Sequence, residues 1–286
     1  MNKITLEDKN YPLLLKEIPG SPKEIYYLGR LPKAEETLIA IVGTRKATSD
    51  GRILAKQIAK DLAEAGITIV SGLAFGIDAA AHEGALAGGG KTIAVLATGL
   101  DTIYPRSHER LVQEILKNDG ALISEYPPGT PAYPNQFLER NRIISGLCIA
   151  TVIIEAPIHS GALVTARHAL EQGREIFVTP GPARHQNYKG SHLLIRNGAR
   201  LITSVEDILE DLNLTHLQKK SVNEEDFQDP QSKAIIAALK NSKNPLTLDN
   251  IIGETKLEPH IVYQRLTFLT LEKIIEERNG KFKFIS

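Results

Sequence analysis

The sequence of 286 residues is short of several features, and each absence excludes a class of protein. It contains a single cysteine, Cys148, which excludes an intramolecular disulfide and indicates a reducing compartment. No uncharged apolar run approaches the ~18 residues of a membrane-spanning helix. The N-terminal segment MNKITLEDKN lacks the apolar core of a signal peptide. We therefore expect a cytoplasmic protein with no membrane partner.

The sequence also carries no net charge. The 34 basic and 34 acidic residues give a formal charge of zero, so no overall field draws in nucleic acid and any polyanion site must be a local patch. Cysteine and histidine never occur at the spacing of a zinc site, and no residues form a recognisable catalytic set. We expect no metal, no cofactor and no enzymatic activity.

The segment of residues 39–82 organises the chain. Two apolar runs, residues 38–42 and 67–70, each end in a loop of small residues, and a helical pattern follows each loop. This repeat predicts an α/β fold with a Rossmann-like, doubly wound, mostly parallel sheet. Ligands of such sheets bind in the crevice at the carboxyl ends of the strands, where both loops lie.

The two loops carry groups that suit an anion. Gly43 lets a phosphate oxygen approach the main chain, Thr44 offers a hydroxyl, and Arg45 offers a planar set of donors that fits phosphate. The second loop adds three small residues, Ser71, Gly72 and Gly76. The helix that follows directs its free N–H groups into the crevice. A single glycine could serve only a tight turn, but the paired loops favour an anion site.

Two familiar nucleotide motifs do not fit. Residues 88–92, GGGKT, follow a helical pattern and precede a strand, whereas a P-loop follows a strand and precedes a helix. They predict a helix C-cap instead. The first loop also lacks the G-x-G-x-x-G spacing of dinucleotide-binding proteins, and the second strand ends without an acidic residue for a ribose hydroxyl.

Other parts of the first 212 residues complete the sheet. Residues 1–37 predict an N-terminal arm packed on the core, and residues 38–212 form the Rossmann-like domain. Further strands are predicted at residues 92–97, 121–124, 149–154, 176–178 and 201–203. Ser160 and Gly161 open a helix after the strand at residues 149–154. Serine there is by default an N-cap, but the site also offers free N–H groups at a strand's carboxyl end, with Lys189 near the same rim.

A proline-rich loop, residues 125–136, has the length of a functional or disordered loop and leads into a helix. Phe137, Arg140 and Asn141 share one face of that helix, and Arg142 points elsewhere. An aromatic ring beside an arginine can stack a base and hold its phosphate, as in single-strand binders. The alternative, with Phe137 in the core and Arg140 in an ion pair, stays equally open.

The C-terminal part has a different pattern. Residues 213–229 are polar and predict a linker. Residues 230–286 contain three helical patterns and two short alternating runs separated by Asn279 and Gly280, a strong hairpin signal. They predict a winged-helix domain. The exposed residues expected on its third helix include Glu258, His260 and Arg265, hardly a basic surface, so DNA and protein are both open as its partner.

Six motifs together resemble the DNA-processing protein A (DprA, also called Smf) family: IAIVGTR, SGLAFGIDAAAHEGAL, GLDTIYP, SEYPPGT, RNRIISGL and SGALVTARHALEQGREIFVTPG. The resemblance covers residues 11–212, and the C-terminal part resembles the winged-helix domain of many members. It implies single-stranded DNA binding, homodimerisation and loading of RecA recombinase in natural transformation, or a role in general recombination. It implies no catalysis.

The resemblance also implies a DNA pocket. Its residues would be Gly43, Thr44, Arg45, Ser71, Gly72, Gly76, Phe137, Arg140, Arg142, Ser160 and Gly161, with Lys189 at the rim. Two departures from the family are visible: the residues before Leu38 are too few for the helical N-terminal domain that members commonly carry, and His192 replaces the usual asparagine.

The alternative hypothesis is an enzyme or sensor that acts on a free nucleotide in the same crevice. Asp78, His82 or Glu155 would then be reactive. Asp78 and His82 lie one helical turn apart, where a structural role is favoured over a carboxylate that orients an imidazole.

Overall fold

A computed structural model describes residues 1–217, 229–242, 244–271, 274–278 and 280–284. The chain forms two compact units, Met1–Gln218 and Lys219–Ser286. Most of the predicted linker, residues 218–228, lies outside the described part of the chain. None of the helices within the described ranges is long and apolar enough to cross a membrane.

A mixed sheet forms the centre of the first unit. Its described strands are β1 (Asn2–Thr5), β2 (Glu24–Gly29), β3 (Leu38–Gly43), β4 (Thr68–Ser71), β5 (Thr92–Leu96), β6 (Ala121–Ser124), β7 (Ala150–Ile154), β8 (Glu175–Val178) and β9 (Arg200–Leu201). Their spatial order is β1-β2-β6-β5-β4-β3-β7-β8-β9. Strands β3 to β9 pair in parallel. The predicted α/β class with a Rossmann-like, mostly parallel sheet is confirmed.

The N-terminal segment belongs to this sheet. Strand β2 pairs antiparallel with β6, with Gly29 opposite Ala121, and β1 pairs antiparallel with β2. Tyr11, Leu15 and Ile18 of this segment are buried in the core, and its two strands also lengthen the sheet at one edge, which the sequence did not predict. Its pairing partner lies far along the chain, so local sequence patterns do not reveal it.

Helices cover both faces of the sheet. They are α1 (Leu13–Lys16), α2 (Ser49–Glu64), α3 (Ile77–Ala87), α4 (Glu109–Lys117), α5 (Pro134–Gly146), α6 (Gly161–Glu171), α7 (Lys189–Arg196) and α8 (Val205–Asp211). Successive side chains of β3 point to opposite faces: Ile39 and Ile41 join the core with α2 and α3, while Ala40 and Val42 join the core with α5 and α6. The GGGKT segment contains the C-cap of α3, Gly88, as predicted.

Strand order places a topological switch between β3 and β7. From β3 the chain builds outward through β4, β5 and β6, and then crosses to β7 on the other side of β3. Gly43 lies opposite Ile154 at the carboxyl ends of these two strands. The connections diverge here and leave the crevice in which doubly wound sheets bind ligands.

The second unit contains α9 (Pro230–Asn241), β10 (Leu246–Thr247), α10 (Leu248–Thr255), α11 (Pro259–Leu271), β11 (Ile275–Arg278) and β12 (Lys281–Phe284). The strands form an antiparallel sheet in the order β10-β12-β11. Ile235, Ile251 and Val262 are fully buried between the helices. Asn279 of the predicted turn lies outside the described residues, and the winged-helix assignment stays a prediction.

Candidate functional site

A cavity of about 950 Å³ lies at the switch point. Its wall combines the loop after β3, the first turns of α5 and α6, Tyr104 from the loop after β5, and the segment that enters α7. Eight of the predicted site residues line it: Gly43, Thr44, Arg45, Phe137, Arg140, Ser160, Gly161 and Lys189. Eight of the twelve predicted residues therefore lie on the wall of this crevice, and their contacts with DNA stay predictions.

Arg45 and two aromatic rings form one side of the cavity. The Arg45 guanidinium lies over the Phe137 ring, 4.8 Å from its centroid. Tyr104 packs edge-on against Phe137 with centroids 5.4 Å apart. Arg45 is exposed and Phe137 is half-buried, so the ring is held in place while the guanidinium donors face solvent. The sequence analysis did not select Tyr104. Its only indication in the sequence is that an aromatic residue beside a proline lies in a loop at the carboxyl ends of the strands.

The N-terminus of α6 forms the opposite side. The Ser160 Oγ accepts a hydrogen bond from the Ala162 N–H at 3.1 Å, which confirms the predicted N-cap. A Cβ added to Gly161 would meet only the Asn141 Nδ2, at 3.8 Å. This helix start is open enough for a phosphate to approach its N–H groups, where the helix dipole favours negative charge.

Arg140 is buried beneath the cavity. It donates hydrogen bonds to the carbonyl oxygens of Gly72, at 2.8 Å, and Val95. Burial lowers the pKa of Arg140 to about 10, so it stays charged at neutral pH. Asp78 accepts hydrogen bonds from the Gly72 and Ala74 N–H groups; burial raises the pKa of Asp78, against the opposing effect of Arg140. Arg140 thus joins the loop after β4 to β5 and contributes positive charge to the cavity floor.

Three predicted residues do not line the cavity: Ser71, which is the last residue of β4, and Gly72 and Gly76 of the following loop. Ser71 is fully buried and donates a hydrogen bond to the Ile41 carbonyl at 2.7 Å. A Cβ at Gly72 would fall 2.6 Å from the Arg140 guanidinium, and one at Gly76 would fall 2.4 Å from the Thr44 carbonyl oxygen. Gly76 also has a φ of +79°, which favours glycine. In this conformation the three residues shape the backbone between β4 and α3 and do not line the cavity.

Gly43 and Arg142 also differ from expectation. A Cβ at Gly43 would lie 1.9 Å from the Ile154 carbonyl oxygen and 2.5 Å from the Ile77 Cγ1. Packing of β3 against β7 and α3 therefore already requires glycine here, and its contact with a phosphate stays a prediction. Arg142 does not line the cavity, and its Nη2 donates to both carboxylate oxygens of Glu125, at 2.6 and 2.7 Å, so its charge is already matched.

His82 lies in the core. Its Nδ1 is 2.7 Å from the Thr92 Oγ1, which donates its own proton to the Ile69 carbonyl. The histidine Nδ1 must therefore carry a proton and donate to the hydroxyl. Burial, reinforced by the charges of His108 and Arg140, lowers the pKa of His82 to about 3. His82 is thus a neutral structural residue whose hydrogen bond goes to Thr92, not to Asp78.

Glu155 is a buried anchor outside the cavity wall. Its carboxylate accepts hydrogen bonds from the Thr48 N–H at 2.9 Å, the Thr48 hydroxyl, the Asn187 Nδ2 at 2.9 Å and the Tyr188 hydroxyl at 3.1 Å. Burial favours the neutral acid, but these hydrogen bonds outweigh it and lower the pKa of Glu155. The carboxylate thereby joins the end of β7 to the start of α2 and to the segment before α7.

Comparisons with known proteins agree with the fold and the motifs. The family model for DNA recombination-mediator protein A matches residues 2–213. Protein Smf of Escherichia coli is 38% identical over 260 residues, which cover 90% of this chain and 70% of that protein.

Two solved structures are each similar to about three quarters of the chain. DNA processing protein A of Streptococcus pneumoniae has a TM-score of 0.70 and 40% identity and covers 73% of this chain and 74% of that chain. DNA processing protein A of Helicobacter pylori, described for its single-stranded DNA binding mode, has a TM-score of 0.64 and 30% identity. The match covers 74% of this chain and 95% of that chain. The chain therefore belongs to the DNA recombination-mediator protein A family, known as DprA or Smf.

Proposed function

We propose that the cavity binds single-stranded DNA. The observation that carries this proposal is the Arg45 guanidinium over the half-buried Phe137 ring, opposite the open N-terminus of α6. A stacking ring, a phosphate-binding fork and a helix N-terminus around one cavity are what a single strand requires. The H. pylori relative, with its single-stranded DNA binding mode, supports the same ligand.

In the cell, the proposed role is to protect incoming DNA and load RecA recombinase in natural transformation or homologous recombination. The protein would act as a homodimer in the cytoplasm, without catalysis. Family membership supports this role. RecA should form filaments on a single-stranded oligomer faster in the presence of this protein, and an unchanged rate of filament formation would contradict the loading role.

Arg45→Ala tests the phosphate contact. Each phosphate contact on a single strand contributes about −0.7 to the slope of log K against log salt, so this variant should flatten the slope by about 0.7 for every sequence. Lys117→Ala is the matched control. Lys117 is exposed at the C-terminal end of α4, where the chain enters β6 at its amino end, whereas the cavity lies at the carboxyl ends of the strands. Equal slopes for the wild type and Arg45→Ala would contradict the proposal.

Phe137→Ala tests base stacking and should cost about 1–3 kcal/mol of binding free energy. Titration with a mononucleotide against oligomers of increasing length separates a strand-binding protein from a nucleotide sensor. Affinity that increases with length supports the proposal, whereas saturation by a mononucleotide supports the sensor. Of the three residues that the sensor would use, His82 and Glu155 do not line the cavity. Asp78 does line it, but its carboxylate already accepts hydrogen bonds from the Gly72 and Ala74 N–H groups, so the geometry favours strand binding.

A further inference from the structure

A second pair of aromatic rings lies just outside the cavity wall. Phe75, in the loop after β4, packs edge-on against His108 with ring centroids 5.0 Å apart and an interplanar angle of 71°. Phe75 is 48% exposed. Its ring is therefore fixed by one neighbour while about half of its surface meets solvent.

Both rings of this pair follow a cavity residue closely along the chain. Phe75 directly follows Ala74, which lines the cavity. His108 ends the short 3₁₀ helix Arg106–His108, which begins two residues after the cavity residue Tyr104. The His108 Nδ1 lies 2.9 Å from the Leu73 carbonyl. A carbonyl only accepts, so this nitrogen carries a proton and ties the two loops together.

The exposed rings lie on two loops at the same edge of the sheet. Tyr104 is 47% exposed and packs on Phe137 from the loop after β5, and Phe75 packs on His108 from the loop after β4. Single exposed apolar residues are common and need no explanation. Aromatic rings on successive loops at one edge of a sheet, however, give a stacking surface that bases of any sequence can use.

A cation accompanies the outer rings. Arg106 is two residues before His108, and its side chain is 93% exposed. Its Nε lies 3.7 Å from the Glu109 carboxylate, and an exposed pair of this kind contributes only about 0–1 kcal/mol. The guanidinium can therefore leave Glu109 for a phosphate at little cost.

We propose that Phe75, supported by His108 and accompanied by Arg106, forms an outer subsite that stacks a base of the single strand where it leaves the cavity. The inference rests on the proposed function, because the strand must first occupy the cavity. The subsite takes single-stranded nucleic acid without sequence preference. It extends the binding surface from the switch point between β3 and β7 toward β4 and β5.

Oligomer length provides the first test. Phe75→Ala should weaken binding of an oligothymidylate of about 16 nucleotides by about 5- to 150-fold, and should leave binding of a thymidine dinucleotide unchanged. Phe75→Leu should behave like Phe75→Ala, whereas Phe75→Trp should retain the affinity. Equal effects of Phe75→Ala on both lengths, or no effect on either, would overturn the outer subsite.

Fluorescence provides an independent test, since the chain contains no tryptophan. Emission of Phe75→Trp should be quenched by the long oligomer and not by the dinucleotide. Leu170→Trp is the control, because Leu170 is 70% exposed near the C-terminal end of α6, and its emission should not change. Unquenched emission of Phe75→Trp at saturation with the long oligomer would refute base stacking on this residue.

The two proposals fail in different ways. If Arg45→Ala and Phe137→Ala bind both lengths like the wild type, the cavity is not the binding site and the proposed function fails. If those variants bind weakly while Phe75→Ala binds the long oligomer normally, the strand occupies the cavity and only the outer subsite is wrong.

Discussion

Replacement of Glu155 by alanine should destabilise the first unit strongly. The Glu155 side chain is fully buried, and its carboxylate accepts hydrogen bonds from Thr48, Asn187 and Tyr188. Removal of one member of a buried charged network costs about 3–5 kcal/mol, a large part of a typical stability of about 5–15 kcal/mol. We therefore expect Glu155→Ala to lower the free energy of unfolding by about 3–5 kcal/mol.

The backbone at this residue adds a second, separable effect. Glu155 has a φ of +52°, a left-handed conformation that costs a non-glycine residue about 1–2 kcal/mol. Glycine adopts this conformation without that cost. Glu155→Gly should therefore be more stable than Glu155→Ala by about 1 kcal/mol, although both lose the carboxylate.

Glu155→Gln isolates the charge. The glutamine amide oxygen can accept hydrogen bonds from the Thr48 N–H and the Asn187 Nδ2, which are donors only. The glutamine NH₂ would face the Thr48 and Tyr188 hydroxyls, and these can accept a hydrogen bond instead of donating one. We expect a loss of about 1–2 kcal/mol, because hydrogen bonds to charged groups contribute more than neutral ones. The hydrogen bonds hold the Glu155 pKa below its ordinary 4.5, so the charge stabilises the fold above pH 4.5. The difference between the wild type and this variant should vanish as pH falls through the lowered pKa.

Urea unfolding followed by circular dichroism at neutral and acid pH measures these differences. Glu83→Ala is the control, since Glu83 is half exposed and its ion pair with Lys56 spans 3.5 Å; it should change stability by less than about 0.5 kcal/mol. A Glu155→Ala variant as stable as this control, or a Glu155→Gly variant no more stable than Glu155→Ala, would refute the reasoning.

Three further predictions concern residues near the site. Gly43→Ala should destabilise the first unit by several kcal/mol, measured by urea unfolding, because the new Cβ would overlap the Ile154 carbonyl. Arg142→Ala should leave the salt dependence of DNA binding unchanged in the assay used for Arg45→Ala, since the Arg142 charge is paired with Glu125. A flatter slope of log K against log salt would show that Arg142 contacts DNA after all. The pKa of His82 is about 3, against an ordinary 6.5, so the unfolded chain binds the extra proton between these values and stability falls as pH falls. His82→Leu should flatten this dependence by up to about 1.4 kcal/mol per pH unit.

Patterns that repeat within a few residues were readable from the sequence. The apolar runs at β3 and β4 and the helical pattern after each loop identified the parallel sheet, and the loops at the carboxyl ends of these strands located the crevice. The Ser160 N-cap followed from a single residue type at a helix start. Helical periodicity also separated Arg140 from Arg142, of which only Arg140 lines the cavity.

Pairings between distant parts of the chain were not readable. Nothing near Gly43 shows that the Ile154 carbonyl fills the space of its missing side chain. Nothing near Arg140 shows that its guanidinium hydrogen-bonds to Val95 beneath the cavity. Likewise, β2 joins the sheet only because β6 offers it an edge. Residues whose role depends on such non-local neighbours were the ones assigned differently by sequence and structure.

The residues of the cavity wall extend along the chain from Val42 to Lys189, so no short fragment of the chain contains the whole site. A ligand that requires every segment of the wall has no counterpart in the unfolded chain. At a concentration of about 100 times its Kd, such a ligand adds about 2.7 kcal/mol to the free energy of unfolding. The rise in the melting temperature of the first unit on adding ligand is thus a label-free measure of occupancy. A substitution in any one segment of the wall that weakens binding also reduces this rise.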